Sequence, residues 1–166
     1  DTRPAVVETR QTVGHWEGDL IAGAGRTGNL VTMVERNTRF TLVGRTDSKE
    51  AREVLAEICR LFGSLPAKVR QTATFDNGKE FSCHEEMAKT LCMDVFFAHP
   101  YHSWERGTNE NTNGLIRRLH PKKSSFAGIG EEELHRIDRF VNDRPRKCLG
   151  WKTPREKMTL FMVSAP

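Results

Sequence analysis

Three strand-length segments follow one another before any helical pattern begins, and that order limits the folds open to this chain. His15–Ala22 reads as a first strand. Residues 29–36 and 39–45 carry Leu30, Val31, Met33 and Val34, then Phe40, Leu42 and Val43, with only Asn37 and Thr38 between them. Two apolar-rich segments joined by so short a link form an antiparallel hairpin. The glycine-rich turn from Gly23 to Gly28 is not a dinucleotide fingerprint, because no helical pattern follows it.

The pattern then changes period. Ala51, Val54, Leu55, Ile58, Cys59 and Phe62 recur at the spacing of one helical face, with Asp47 and Glu50 as a capping box and Gly63 as the stop. Residues 68–75 predict a fourth strand ending at Asp76-Asn77-Gly78, residues 85–92 a second helix and residues 94–98 a short fifth strand. The stretch from Trp104 to Leu119 is a polar loop feeding a helix that stops before Pro121, with Thr108 or Asn109 able to cap it and Leu115, Ile116 and Leu119 as its core edge. Residues 131–142 form another helix, Pro145 opens an irregular basic tail, and residues 1–13 are an extended arm before a core domain spanning 14–166. This order describes an α/β fold, a mixed five-stranded sheet flanked by helices, with the first strand central because later strands add around it.

Charge narrows the partners. Lys and Arg outnumber Asp and Glu by 26 to 22, and the excess is concentrated beyond Arg117, as suits a polyanion bound through its phosphates. No apolar run is long enough for a membrane span and no signal-like segment opens the chain. The four cysteines, at 59, 83, 92 and 148, form no CxxC pair, which argues against a disulfide framework or a zinc knuckle and fits a reducing cytoplasm. A first residue of Asp rather than Met is expected of a piece of a longer protein.

Three acids occupy places from which such a fold can bring them together. Asp19 lies inside the first strand, where a carboxylate is costly unless a cation meets it; Asp76 follows the fourth strand; Glu110 opens the helix after the polar loop. Clustered carboxylates relieve that cost by binding a hard divalent cation such as Mg²⁺. Glu110, Asn113, Gly114 and Arg117 form one strip of that helix, a face to which something polar docks. Glu17 alternates onto the face of Asp19 and, with Glu80 and Glu105, is a second choice of ligand. His84, His99, His102 and His120 have no ligand spacing on one element. Lys79 beside Asp76 suits a phosphate, Trp104 suits base stacking in opened DNA, and Arg106 joins them as a DNA-facing candidate.

The residues Gly14-His15-Trp16-Glu17-Gly18-Asp19-Leu20-Ile21, Thr74-Phe75-Asp76-Asn77-Gly78-Lys79-Glu80-Phe81, Pro100-Tyr101 with residues 104–115, Asn142 to Lys147, and Trp151-Lys152-Thr153-Pro154 carry a resemblance. The chain resembles the catalytic core of the integrase and transposase superfamily, and more narrowly the bacterial insertion-sequence transposases of the IS-thirty family. The resemblance implies a ribonuclease-H-like fold in which Asp19, Asp76 and Glu110 are catalytic metal ligands for Mg²⁺ (Mn²⁺ substituting), with two ions when DNA is bound. It implies Arg117 as a phosphate contact and Asn113 as a further DNA contact. The implied activity is nicking of DNA at element ends and joining of the 3′-hydroxyl to target DNA, in a homo-oligomer, without a covalent protein–DNA intermediate. A ribonuclease-H-like nuclease without strand transfer and a catalytically silent DNA-binding regulatory domain are the alternatives. Cys83 and Leu119-His120 depart from the family pattern, and the family's N-terminal helix-turn-helix region is missing.

Overall fold

The computed structural model describes residues 5–26, 28–99 and 107–164. Five strands form one sheet: β1 (His15–Ala22), β2 (Asn29–Glu35), β3 (Thr41–Thr46), β4 (Thr72–Phe75) and β5 (Asp94–Phe97), in the order β3-β2-β1-β4-β5. β1, β2 and β3 are an antiparallel meander, whereas β4 and β5 run parallel to β1. The first strand is therefore central, as its sequence predicted.

β1 owes its position to strict alternation. Trp16 and Leu20 face α2 (Ala51–Phe62), where Trp16 meets the Phe62 ring edge-on at 4.9 Å and donates its indole N–H to the Val69 carbonyl at 2.7 Å. Gly18 faces the same way, and a β-carbon there would lie 2.1 Å from the Phe75 ring. Glu17, Asp19 and Ile21 face the opposite side, beneath α4 (Gly107–Leu119) and α5 (Glu131–Asn142). The α2 side, with α3 (His84–Leu91), holds the larger apolar core; the α4 side has a smaller cluster around Ile21, Leu30, Ile116, Phe126 and Ile137.

Four local expectations are corrected. Within the supposed arm, Ala5–Thr9 form a short helix, α1, because Val7 is fully buried and Glu8 lies 3.6 Å from the Arg36 guanidinium. The acid that caps α2 is Glu53 rather than Glu50: it accepts the Ser48 backbone N–H and hydroxyl, while Glu50 at the N-cap makes no side-chain cap bond. The fourth strand is only Thr72–Phe75, since residues 67–69 turn as a 3-10 helix and pairing with β1 starts at His15↔Thr72. The basic tail is not irregular: Pro154–Ser164 form α6, opened by a reciprocal box in which Thr153 N–H donates to Glu156 at 2.7 Å and Glu156 N–H to the Thr153 hydroxyl at 3.1 Å. Arg155 ties α6 to Asp138 and Asp143, and Met158 joins the larger core.

Candidate active site

The parallel pairing of β1 with β4 runs His15↔Thr72, Trp16↔Ala73, Glu17↔Thr74; continued by two residues it sets Asp19, inside β1, level with Asp76, just past the end of β4. Asp76 Oδ1 accepts the Gly78 N–H at 3.0 Å, which folds the chain sharply away from the sheet. Asp19 is fixed more elaborately. Its Oδ1 accepts the Leu20 N–H at 2.9 Å and its Oδ2 accepts the Asn113 amide at 2.7 Å, while Asn113 Oδ1 in turn accepts the Thr32 hydroxyl at 3.0 Å. A chain of hydrogen bonds from β2 through α4 thus holds one carboxylate of β1. Asn113, expected to face DNA, spends its amide on Asp19 and Thr32.

The seat of α4 differs from the apolar edge read from its sequence. Thr108, Asn109, Thr112 and Ile116 are its buried residues, and Leu115 and Leu119 are only half-buried. Asn109, fully buried, donates its side-chain amide to the Glu17 carbonyl at 2.9 Å and its backbone N–H to Glu17 Oε2 at 2.8 Å. The Glu17 carboxylate therefore caps a helix start, where negative charge is favoured. Burial pushes its pKa up, opposed by the Asn109 N–H and by Arg36, whose guanidinium lies 3.4 Å away. Engaged in this way, Glu17 serves the helix and not a metal. The signal for Asn109 lay in its spacing: 109, 112, 113 and 116 form one helical stripe, of which only Ile116 is apolar.

Glu110 is exposed on the flank of α4, three positions before Asn113. Among the described residues no three His, Cys, Asp or Glu side chains lie close enough to hold a metal together. The register of β1 and β4 thus sets Asp19 level with Asp76, while Glu110 is at the surface. Gly114 is exposed too, and a β-carbon there would meet nothing within 4 Å, so packing does not require the glycine. Arg117 donates to the Ala22 carbonyl at 2.9 Å and lies 5.6 Å from the Phe126 ring centroid, pinned to the end of β1. Lys79 is exposed at the start of the turn after Asp76. Trp104, Glu105, Arg106 and His102 lie outside the described residues.

No family model matches the chain. Curated relatives do: it is 40% identical over 150 residues to transposase InsI of insertion sequence element IS30A of Escherichia coli, 41% over 162 residues to the transposase of IS1086 of Cupriavidus metallidurans, and 42% over 157 residues to that of IS4351 of Bacteroides fragilis. By sequence the chain is similar to the transposases of IS30-type insertion sequences over nearly all of its own length. These matches cover 90%, 98% and 95% of the chain but 39%, 48% and 48% of the relatives, so it spans less than half their length. Among solved structures, the catalytic core domain of BIV integrase superposes with a TM-score of 0.68 at 18% identity, covering 91% of this chain and 97% of that one. A chain of the simian T-cell lymphotropic virus intasome gives 0.68 at 16%, covering 93% and 56%. Those likenesses speak for the fold, and the mixed sheet with flanking helices is that of an integrase core.

The residues that depart from the pattern of those relatives are structural. Cys83 is half-buried against the larger apolar core, and His120 bonds Glu133 at 2.8 Å while its ring meets Phe126. His84 packs edge-on against Phe97 at 4.9 Å. All four cysteines are free thiols, and among the described residues no helix is long and apolar enough to cross a membrane.

Proposed function

We propose that this chain is the part of a transposase that breaks and joins DNA phosphodiester bonds, with Asp19, Asp76 and Glu110 holding divalent metal. The observation that supports the reading is the register of β1 and β4, which continued by two residues sets Asp19 level with Asp76, together with the Asn113 and Thr32 bonds behind the Asp19 carboxylate. The donor set is carboxylate oxygen alone, which fits Mg²⁺ or Mn²⁺ and not a nitrogen- and sulfur-loving ion. When bound, a pair of such ions lowers the pKa of an attacking water or 3′-hydroxyl and stabilises the leaving oxygen.

The protein's own groups supply the rest. The Asn113 amide and the Leu20 N–H hold the two oxygens of Asp19 in place, one bond to each. Glu110, an exposed side chain on a helix anchored by Asn109, turns toward the aspartates at small cost in rotamer freedom. Lys79, next to the Asp76 turn, meets a phosphate of the bound strand as a point charge. Water attack on a phosphodiester then leaves a nick with a free 3′-hydroxyl, and that hydroxyl attacks a second phosphodiester to join the strands. Joining two DNA ends in one event calls for more than one copy of the chain.

The test is substitution of each carboxylate by its amide. Asp19→Asn, Asp76→Asn and Glu110→Gln should each abolish Mg²⁺- or Mn²⁺-dependent nicking of plasmid DNA with an unchanged circular dichroism spectrum. A fully active variant removes that residue from the site. Supplying an oligonucleotide with a free 3′-hydroxyl separates strand transfer, which yields a joined product, from hydrolysis alone.

A further inference from the structure

Two adjoining clefts have a basic lining, the first of them on the flank of α4 that carries Thr108 and Thr112. The first is lined by Arg10, Arg39 and Arg146 together with Thr108 and Asn111. The second shares Arg10 and Arg39 and adds Arg36, Lys152 and Lys157. Among the described residues neither cleft has an Asp or Glu in its lining, in a chain with 22 acids to 26 bases. Arg36 is offset by Glu17 and Glu8, and the charge of Arg10 also acts on Glu17, but Arg39, Arg146, Lys152 and Lys157 make no ion pair among the described residues.

The cations are held in place by the backbone and by hydrogen bonds. Arg39 donates to the Thr108 hydroxyl at 2.6 Å, and Arg146 donates to the Val141 carbonyl at 2.9 Å while its buried Nε has no protein partner. Arg10, Arg39 and Trp151 are three of the five non-glycine residues with left-handed backbone among the described residues, at φ of 54°, 63° and 66°. Trp151, 68% exposed, sits between the lining residues Gly150 and Lys152. Such backbone is costly for residues with a β-carbon and gathers where function over-determines the fold. Helical geometry keeps this flank apart from the carboxylates, since Thr108 and Thr112 share one side of α4 and Glu110, Asn113 and Arg117 the other.

We propose that this cleft grips the phosphate backbone of duplex DNA at a second contact, on the far flank of α4 from Asp19, Asp76 and Glu110; this rests on the reading that the chain acts on DNA. Guanidinium forks match phosphate oxygens, the α4 hydroxyl and amide side chains add neutral donors, and grip of this kind is indifferent to sequence.

Two measurements that need no catalysis test it. In the first, binding of the 166-residue chain to a fluorescent duplex of arbitrary sequence is followed by anisotropy through a salt titration. Arg10→Gln, Lys152→Gln and Lys157→Gln combined should reduce the slope of log affinity against log salt by about 2–3, at roughly 0.9 for each phosphate lost. Lys152→Gln alone, at an exposed side chain, should remove about 0.9 and serves if the triple variant melts early. In the second, the duplex should slow alkylation of Cys148, an exposed thiol lining both clefts, several-fold and leave exposed Cys92 at the end of α3 unchanged. Unchanged slopes with Cys148 labelled at its free rate overturn the cleft. Asp19→Asn should lose nicking yet keep slope and protection. A parent chain that never nicks overturns the catalytic reading alone, and one that binds no duplex overturns both.

Discussion

Asn113→Ala is the substitution whose effect follows most directly from the geometry. The amide donates to Asp19 Oδ2 at 2.7 Å, a short bond to an ionised group, and such bonds contribute about 1.5–3 kcal/mol. At 1.36 kcal/mol per factor of ten, a bond spent wholly on holding the carboxylate in place corresponds to roughly a 10- to 150-fold fall in nicking rate. Removing partners behind metal ligands elsewhere costs about 10- to 100-fold, which agrees. Thr32→Val removes the hydroxyl that orients Asn113, a neutral bond at 3.0 Å, so about 0.5–1.5 kcal/mol or some 2- to 12-fold is expected. The two changes act on one path, so Thr32→Val should cost almost nothing further in an Asn113→Ala background. The assay is initial nicking rate against Mn²⁺ concentration for both single variants and the double variant. Wild-type rate and apparent metal affinity in Asn113→Ala would refute the support role; so would full additivity of the two losses. DNA affinity measured without metal separates this from a direct DNA contact, since the support role leaves it unchanged.

Gly114→Ala should raise stability by about 1 kcal/mol, or roughly 2–4 °C, because the site is exposed and open; if DNA seats on that strip, its affinity falls as the melting temperature rises, and a lower melting temperature would contradict the open site. Gly18→Ala should cost about 3 kcal/mol, or roughly 6–12 °C, since the new methyl meets a Phe75 ring that is fully buried and stacked on Phe81 at 4.4 Å; a change of less than a degree would show that the ring can give way. Burial raises the Glu35 pKa from its ordinary 4.5, against the N–H groups of Thr38, Asn37 and Gly14, and raises that of Glu17 likewise. The folded state then binds more protons than the unfolded one above about pH 4.5, so stability is fully present below that pH and falls as pH rises through the folded values. Urea unfolding across that range should show the decline, and Glu35→Gln should flatten part of it whatever its overall cost; an unaltered slope would rule out Glu35 as a source.

Much of the fold was legible because it depends on period alone. β1, α2 and α5 fall where alternation or helical spacing put them, and the β2–β3 hairpin forms as expected, although its connection is the five residues 36–40 rather than two. What escaped depends on partners distant in sequence. α1 is too short to be a helix without Val7 buried and Glu8 against Arg36, and β4 is short because the Val69 carbonyl is bound by the Trp16 indole rather than by a strand. α6 was readable from Thr153-Pro154-Arg155-Glu156, a capping box with proline at the first helical position, but Leu160 and Val163 lie exposed and blur its apolar face. That β1 and β4 lie side by side follows from the strand order, and their register sets Asp19 level with Asp76. The support behind Asp19 was not legible: Asn109 was readable as a cap and Asn113 as a DNA-facing residue, and only the acceptors on β1 and β2 reveal that they face inward. The cleft residues Arg10, Arg39 and Arg146 are spread over 136 positions, and no local pattern links them.

The alternation of β1 also guards the assembly of the sheet. A slip of one residue against β2 or β4 would carry Glu17 and Asp19 into the dry space now filled by Trp16 and Leu20, and would set an indole under the polar seat of α4. Stripping two carboxylates of water without their amide partners costs several kcal/mol each, whereas the correct register gives each an N–H donor. Glu17 and Asp19 are thereby a proofreading device for strand pairing. An error at the centre of the sheet is rejected by the same residues that would otherwise be left in the wrong place to do chemistry.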